Sequence, residues 1–170
     1  MKKILKMTMP FTIIKKYNTL KTKEEIYDII NSLKDKVEDG FIVDKFYSQI
    51  KNNEFEIYRE SFGIDAFLEH HPLITSKILN ENPTKLEVKI KPNYRNLAFF
   101  GIIVVTFISG ALFMTEITIN DVLKKPDIYD RLLFSLCGII SGIWCYFGFI
   151  KPIYKTEEWV VEKFELKEIV

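Results

Sequence analysis

Two runs decide how this chain is read: LAFFGIIVVTFISGALFMT, Leu97–Thr115, and LLFSLCGIISGIWCYFGFI, Leu132–Ile150. Each is about 19 residues long and carries no charged side chain. At about 1.5 Å per residue a helix of that length spans roughly 28 Å, close to the ~30 Å hydrocarbon core of a bilayer. The pair is expected to form a transmembrane hairpin. Working outward, the 170 residues divide into an α+β domain over residues 1–94, the hairpin over 95–151, and a closing helix over 152–170 that packs back on the first domain.

The composition fits that division. The chain is 48% hydrophobic and 28% charged, values that coexist when apolar residues are gathered in spans and charges elsewhere. A net charge of +1 lacks the basic excess of a nucleic-acid binder, so no nucleic-acid partner is expected. Both cysteines, Cys137 and Cys145, fall in the second run. More than two turns apart on one helix, they cannot bridge each other and read as small packing residues. The basic start MKKILKMTMPFTIIKKY is broken by Lys6, Pro10, Lys15 and Lys16. It has no apolar core of signal-peptide length, and the first domain is expected to stay in the cytoplasm.

Phe11–Tyr17 reads as a strand opening at Pro10. Thr22 and Glu25 make a capping box ahead of a helix over Lys23–Lys36, whose apolar stripe is Ile26, Ile29, Ile30, Leu33 and Val37. Asp39-Gly40 ends it. Phe41–Ile50 and Glu54–Glu60 make a hairpin about Asn52-Asn53, with Phe55 and Ile57 alternating against Glu54, Glu56 and Tyr58. Ser61–His71 is irregular. Pro72–Leu79 is a strand, Asn80–Thr84 a turn, and Lys85–Lys91 a strand with Leu86, Val88 and Ile90 on one face. The fold class is thus α+β: an antiparallel sheet with one N-terminal and one C-terminal helix, interrupted by the hairpin. The C-terminal helix, Lys155–Ile169, offers Val160, Val161 and Phe164, flanked by Trp159, Leu166 and Ile169, to the open sheet face. The alternative is a helix lying on the lipid surface.

Three stretches carry a resemblance: Asn53–Arg59 (NEFEIYR), His71–Ile74 (HPLI), and Lys85–Pro92 (KLEVKIKP) leading straight into a span. With the order strand, helix, meander, helix, the chain resembles small bacterial two-span membrane proteins of unassigned function whose soluble part is START-like, the helix-grip arrangement. The resemblance implies a fold, and a lipid-handling protein with a START-like cavity as one reading. It brings no catalytic motif, and the chain has fewer strands than a full helix-grip domain.

Lys85, Lys89, Lys91 and Arg95 precede the first span and Lys151 and Lys155 follow the second, against Lys124, Lys125 and Arg131 in the connection. The positive-inside rule then expects a multi-pass protein of the inner or plasma membrane with both termini cytoplasmic. Tyr94, Arg95, Lys151, Tyr154 and Trp159 are the expected membrane-interface residues. Glu116–Arg131 is expected as the external loop, Pro126 preventing one continuous helix. Gly138, Ser141 and Gly142, with Gly101 and Ser109, are candidates for helix packing or oligomerisation through small side chains. The lipid bilayer is the expected partner, with a homo-oligomer or protein partner beside it.

Chemistry is sparse. His70-His71, neighbours in an extended segment, point to opposite sides and make a poor metal pair. Glu54, Glu56 and Glu60, and Asp65 with Glu69, read as solvated carboxylates. Lys2, Lys3, Lys6, Lys15 and Lys16 are candidates for lipid headgroup contact. No Gly-rich phosphate loop or nucleophile elbow occurs, so neither catalytic residues nor a cofactor or metal is expected. The functional expectation is a non-enzymatic, membrane-anchored binding or interaction module. The alternatives are a membrane-disrupting or pore-forming effector triggered through its cytoplasmic domain, and the lipid-handling reading above.

Overall fold

A computed structural model describes residues 9–33, 43–62, 70–119 and 122–169. Val37, Asp39-Gly40, Phe41, Asp65, Glu69, Lys2, Lys3 and Lys6 lie outside the described residues. The chain is mixed α+β and divides into two compact units, one of residues 1–93 with Gly148–Val170, the other Tyr94–Phe147.

The first unit contains strands β1 (Ile13–Thr19), β2 (Val43–Lys51), β3 (Glu54–Phe62), β4 (Leu73–Glu81) and β5 (Thr84–Lys91), with helix α1 (Lys23–Leu33) between β1 and β2. One antiparallel sheet has the order β2-β3-β4-β5-β1-β8, where β8 is Lys167–Glu168. The meander β2 to β5 follows from sequence alternation. Phe55 and Ile57, then Ile74 and Ile78, then Leu86, Val88 and Ile90 are buried, while Glu54, Glu56 and Tyr58 face outward. Asn52 takes a left-handed φ of 56° at the β2–β3 turn, a conformation asparagine tolerates. β1 begins two residues later than the apolar pattern suggests, because Phe11, at φ 59°, sits in a turn after Pro10.

Helix α1 starts as its capping box dictates. Thr22 Oγ1 accepts from the Glu25 N–H at 3.2 Å, and Glu25 Oε2 accepts from the Thr22 N–H at 2.7 Å. Its stripe Ile26, Ile30 and Leu33 is buried in one core with the inner sheet face. Val160, Phe164 and Leu166 complete that core. They lie on or just after helix α4 (Lys151–Lys163), which ends well before the expected Ile169. Glu165 takes φ 51°, the Leu166 N–H donates to the Val161 carbonyl at 2.9 Å, and the Glu165 N–H to that of Glu162 at 3.3 Å. This is a Schellman termination with a glutamate where glycine is usual. It turns the chain so that β8 pairs Lys167 with Asn18 and Glu168 with Tyr17. Side chains hold the return. Lys15 Nζ meets Glu157 at 2.9 Å and Glu168 at 3.0 Å, Lys21 pairs with Glu165 at 2.6 Å, and Thr19 Oγ1 donates to the Phe164 carbonyl at 2.9 Å. Hydrogen bonds to those two carboxylates hold the Lys15 ammonium pKa above its ordinary value. Burial, reinforced by the bond its hydroxyl donates to Glu157, pushes Tyr17 up.

The second unit holds α2 (Tyr94–Phe113), a small hairpin of β6 (Ile117–Ile119) and β7 (Val122–Lys124), and α3 (Ile128–Cys145). The expected external loop is therefore a β-hairpin followed by the first turn of α3. Asp127 caps that turn by accepting from the N–H groups of Tyr129 and Asp130, while Asp130 reaches back to the Asp127 N–H. Pro126 lies in the connection, outside both helices. Arg131 closes the end of α2, donating to the carbonyls of Ala111 (2.8 Å), Leu112 (3.2 Å) and Met114 (2.9 Å). Orphan carbonyls at a helix C-terminus need such donors. Tyr94–Phe113 and the run Ile128–Lys163 are long and apolar enough to cross a membrane, with mean hydropathies of 2.1 and 1.9 over their apolar windows.

Candidate functional site

Three features have the makings of a site: the apolar hairpin, the helical joint where the chain re-enters the first unit, and a cleft beside α4.

In the hairpin the candidate small residues separate into two groups. A side-chain carbon at Gly138 would lie 3.0 Å from Ile108 Cγ1 and 3.5 Å from Phe107 Cβ, so α2 and α3 touch closely there. Gly110 does the same service against the Phe134 ring, at 3.0 Å, and the Phe107 and Phe134 rings meet tilted by 59°, centroids 5.9 Å apart. Gly142 and Gly101 have nothing within 4 Å. Ser109 and Ser141 are half-buried. Gly110 belongs to the small-residue strip of the first span, and Arg131 is the capping residue that pattern reading passed over. Outside these contacts the faces are apolar and open: Phe99, Ile102, Val105 and Leu112 on α2, and Leu132, Leu136, Ile139 and Ile143 on α3, are exposed.

The joint is a π turn over Tyr146–Ile150. Pro152, four residues after Gly148, has no N–H to give the Gly148 carbonyl, and its ring crowds that carbonyl. A widened turn relieves the crowding, and the His70 N–H donates to the Gly148 carbonyl at 3.0 Å. The His70 ring stacks on the fully buried Phe149, centroids 4.4 Å apart. Burial holds the His70 imidazole below the ordinary histidine value. Its folded pKa is then below its unfolded one, so the unfolded chain binds more protons in that interval. Stability should fall as pH drops through about 6.5 and level off below the folded pKa. Urea melts of wild type and His70→Gln between about pH 7.5 and about pH 5.5 check this: the variant is expected to show the shallower pH slope. His70 and His71 make no metal group with other ligands among the described residues.

The cleft is lined by Phe46, Ile57, Ile74, Pro72 and Pro152, together with Trp159, Arg59, His71, Lys155 and Thr156. Phe46 on β2 stands opposite Arg59 on β3. The Arg59 guanidinium carbon is 5.6 Å from the Phe46 ring centroid, and Trp159 stacks on Phe46 at 5.8 Å and 21°. Arg59 continues the inward series Phe55, Ile57, so the sheet's apolar face ends in a cation. Trp159, expected at the lipid headgroups, thus has its ring against the sheet. The exposed ring on α4 is Tyr154, beside exposed Lys151 and Lys155. At the start of α2, Tyr94 is half-buried and Arg95 exposed. The cleft holds about 60 Å³, far below the ~300–1,000 Å³ of pockets that enclose drug-sized ligands. It has room for a small ion or a few waters and none for a lipid tail.

No protein-family model, curated protein or solved structure matches this chain. The helix-grip resemblance therefore brings no further residue assignments.

Proposed function

We propose that this chain is an integral membrane protein whose Tyr94–Phe147 unit is a two-span anchor and whose α+β unit is a non-enzymatic binding module. The carrying observation is the exposure of the apolar helices. Only 6% of the α2 window and 17% of the second window is buried, whereas a helix apolar all round in a water-soluble fold is a core helix. Lipid removes that cost, since exposed apolar faces of this extent have no stable contact with water.

The Lys and Arg residues flanking the apolar runs favour the cytoplasmic side for both ends of the chain. Of the three cations in the connection, Arg131 is spent on α2 carbonyls and Lys124 on Asp130 at 3.0 Å. The binding role rests on the cleft, where polar groups from β3, the segment before β4 and α4 converge.

Alkaline extraction of membranes from expressing cells tests the anchor. The protein is expected in the pellet, and recovery in the supernatant would overturn the reading. Protease added to sealed spheroplasts tests the orientation: the α+β unit should be protected, with cleavage confined to the 114–127 connection.

A further inference from the structure

We propose that strand β2 is a self-association edge: two copies of this chain join β2 to β2, antiparallel about a two-fold axis at Tyr47, into one continuous sheet. This goes beyond the binding-module reading and rests on the α+β unit alone, independent of the anchor.

The backbone supplies the first argument. β2 ends the sheet, with β3 as its one neighbouring strand. The Ile78 N–H donates to the Asn53 carbonyl at 2.8 Å. Odd-numbered residues of β3 therefore bond towards β4 and even-numbered ones towards β2. Glu54, Glu56 and Tyr58 stand opposite Lys51, Gln49 and Tyr47, so the odd positions of β2 are spent on β3. The N–H and C=O groups of Asp44, Phe46, Ser48 and Ile50 then aim at the open edge. Among the described residues no backbone group answers them. An edge of this length is a template for another strand.

Register supplies the second argument and names the occupant. Inner face must continue inner face, so the pairing can slip only by two residues at a time. Tyr47 is the midpoint of Val43–Lys51, and pairing about it overlaps the whole strand. Asp44 meets Ile50 of the second copy and Phe46 meets Ser48. Each such pair exchanges two N–H···O bonds, about eight in all. On the outer face Lys45 meets Gln49, Val43 meets Lys51 and Tyr47 meets Tyr47, so no like charges stand opposite. A slip one way sets Lys45 against Lys51, which is destabilising. A slip the other way carries Ile50 and Lys51 past the second copy's β2. Edge lysines that repel a misplaced strand thus select this register. The stacked Tyr47–Tyr58 pair, centroids 6.4 Å apart, becomes a row of four rings. The strand that matches β2 in this way is β2 itself, as an isologous two-fold contact requires.

Cross-linking reads the register. In the full chain carrying Cys137→Ala and Cys145→Ala, Tyr47→Cys places two thiols in a non-hydrogen-bonded pair, whose ~4.5 Å Cα separation suits a disulfide. Tyr58→Cys lies three strand spacings from its mate, ~14 Å. Tyr47 and Tyr58 are 41% and 38% exposed, so chance collision treats the two positions alike. In detergent with a mild oxidant, a covalent dimer is expected from Tyr47→Cys and little from Tyr58→Cys. Charge reads the symmetry. Gln49→Lys faces Lys45 twice per dimer and should raise the dissociation constant about threefold or more, while Gln49→Glu should lower it. Gln49 stands opposite Glu56 in its own chain, so the lysine suits the fold and a weaker dimer is not unfolding. Sedimentation in a density-matched detergent gives the masses and the constants. A wild type monomeric at every concentration, equal cross-linking at the two positions, or a dimer indifferent to both Gln49 variants would overturn the proposal. A dimer held through the hairpin gives the last of these results.

Discussion

Phe164→Ala should cost about 3–5 kcal/mol of folding stability, a large share of the ~5–15 kcal/mol a domain possesses. Phe164 is 1% exposed and its ring lies 5.8 Å from that of Phe55, tilted by 38°. Val160 and Leu166 are buried in the same cluster, and the Phe164 carbonyl takes the buried Thr19 hydroxyl. Truncation therefore leaves a cavity bounded by a strand, a helix end and a pinned backbone, none of which can collapse freely. A closing helix lying on lipid would give the opposite result, since its apolar face would exchange one apolar surrounding for another. Urea unfolding of the purified protein, followed by far-UV circular dichroism, separates the two. The midpoint should fall with the slope unchanged, while Glu162→Ala, exposed on the same helix, should stay within about 0.5 kcal/mol of wild type.

The central sheet is legible in the sequence because its strands obey a local rule. Leu86, Val88 and Ile90 alternate with charged neighbours, and that pattern survives into the fold because one sheet face is wet. The start of α1 is legible for the same reason: Thr22 and Glu25 satisfy each other within three residues. What escapes the sequence depends on partners distant along the chain or on residues used against type. The end of α4 carries no glycine, and Glu165 adopts the left-handed turn with Lys21 across from it, so the short strand β8 is hidden inside what looks like a helix. The π turn did have a signal, Gly148 followed four residues later by Pro152, which predicts a carbonyl without its helical donor. Asp127 and Asp130 likewise mark the true start of α3, four residues ahead of the uncharged run.

The cleft was not legible at all. Arg59, His71, Lys155 and Trp159 are drawn from three separate segments, and each has an ordinary reading where it stands: a strand cation, a histidine before a strand, a residue flanking a span, an interfacial tryptophan. Only the return of α4 to the sheet gathers them. Helical periodicity could suggest that return through Val160 and Phe164, but not which cations would meet across it.

The hairpin offers the second large effect, and it divides a motif. Gly138→Leu should weaken the packing of α2 on α3 by about 1–3 kcal/mol, the usual cost of forcing atoms into a filled contact, whereas Gly142→Leu should change it by less than about 0.5 kcal/mol. Gly138 and Gly142 are four residues apart and share a face, so spacing alone gives them one role. Their surroundings differ. Beyond Gly138 lie Ile108 Cγ1 at 3.0 Å and the Ile108 backbone nitrogen at 3.6 Å, and a backbone atom cannot swing aside as a side-chain end can. Gly142 meets nothing within 4 Å, and neither does Gly101 on α2. Close approach is thus confined to the stretch where Gly110 and Gly138 face Phe134 and Ile108, and the helices offer each other less towards Gly101 and Gly142. Backbone hydrogen exchange over α2 and α3 in detergent reads the difference: faster exchange is expected in Gly138→Leu and wild-type rates in Gly142→Leu. Equal acceleration in both would mean the helices pack along the whole strip. A change of oligomer size in Gly142→Leu, with exchange within the hairpin unaltered, would assign the open half of the strip to contact between copies, which leaves Gly138 to hold each hairpin together.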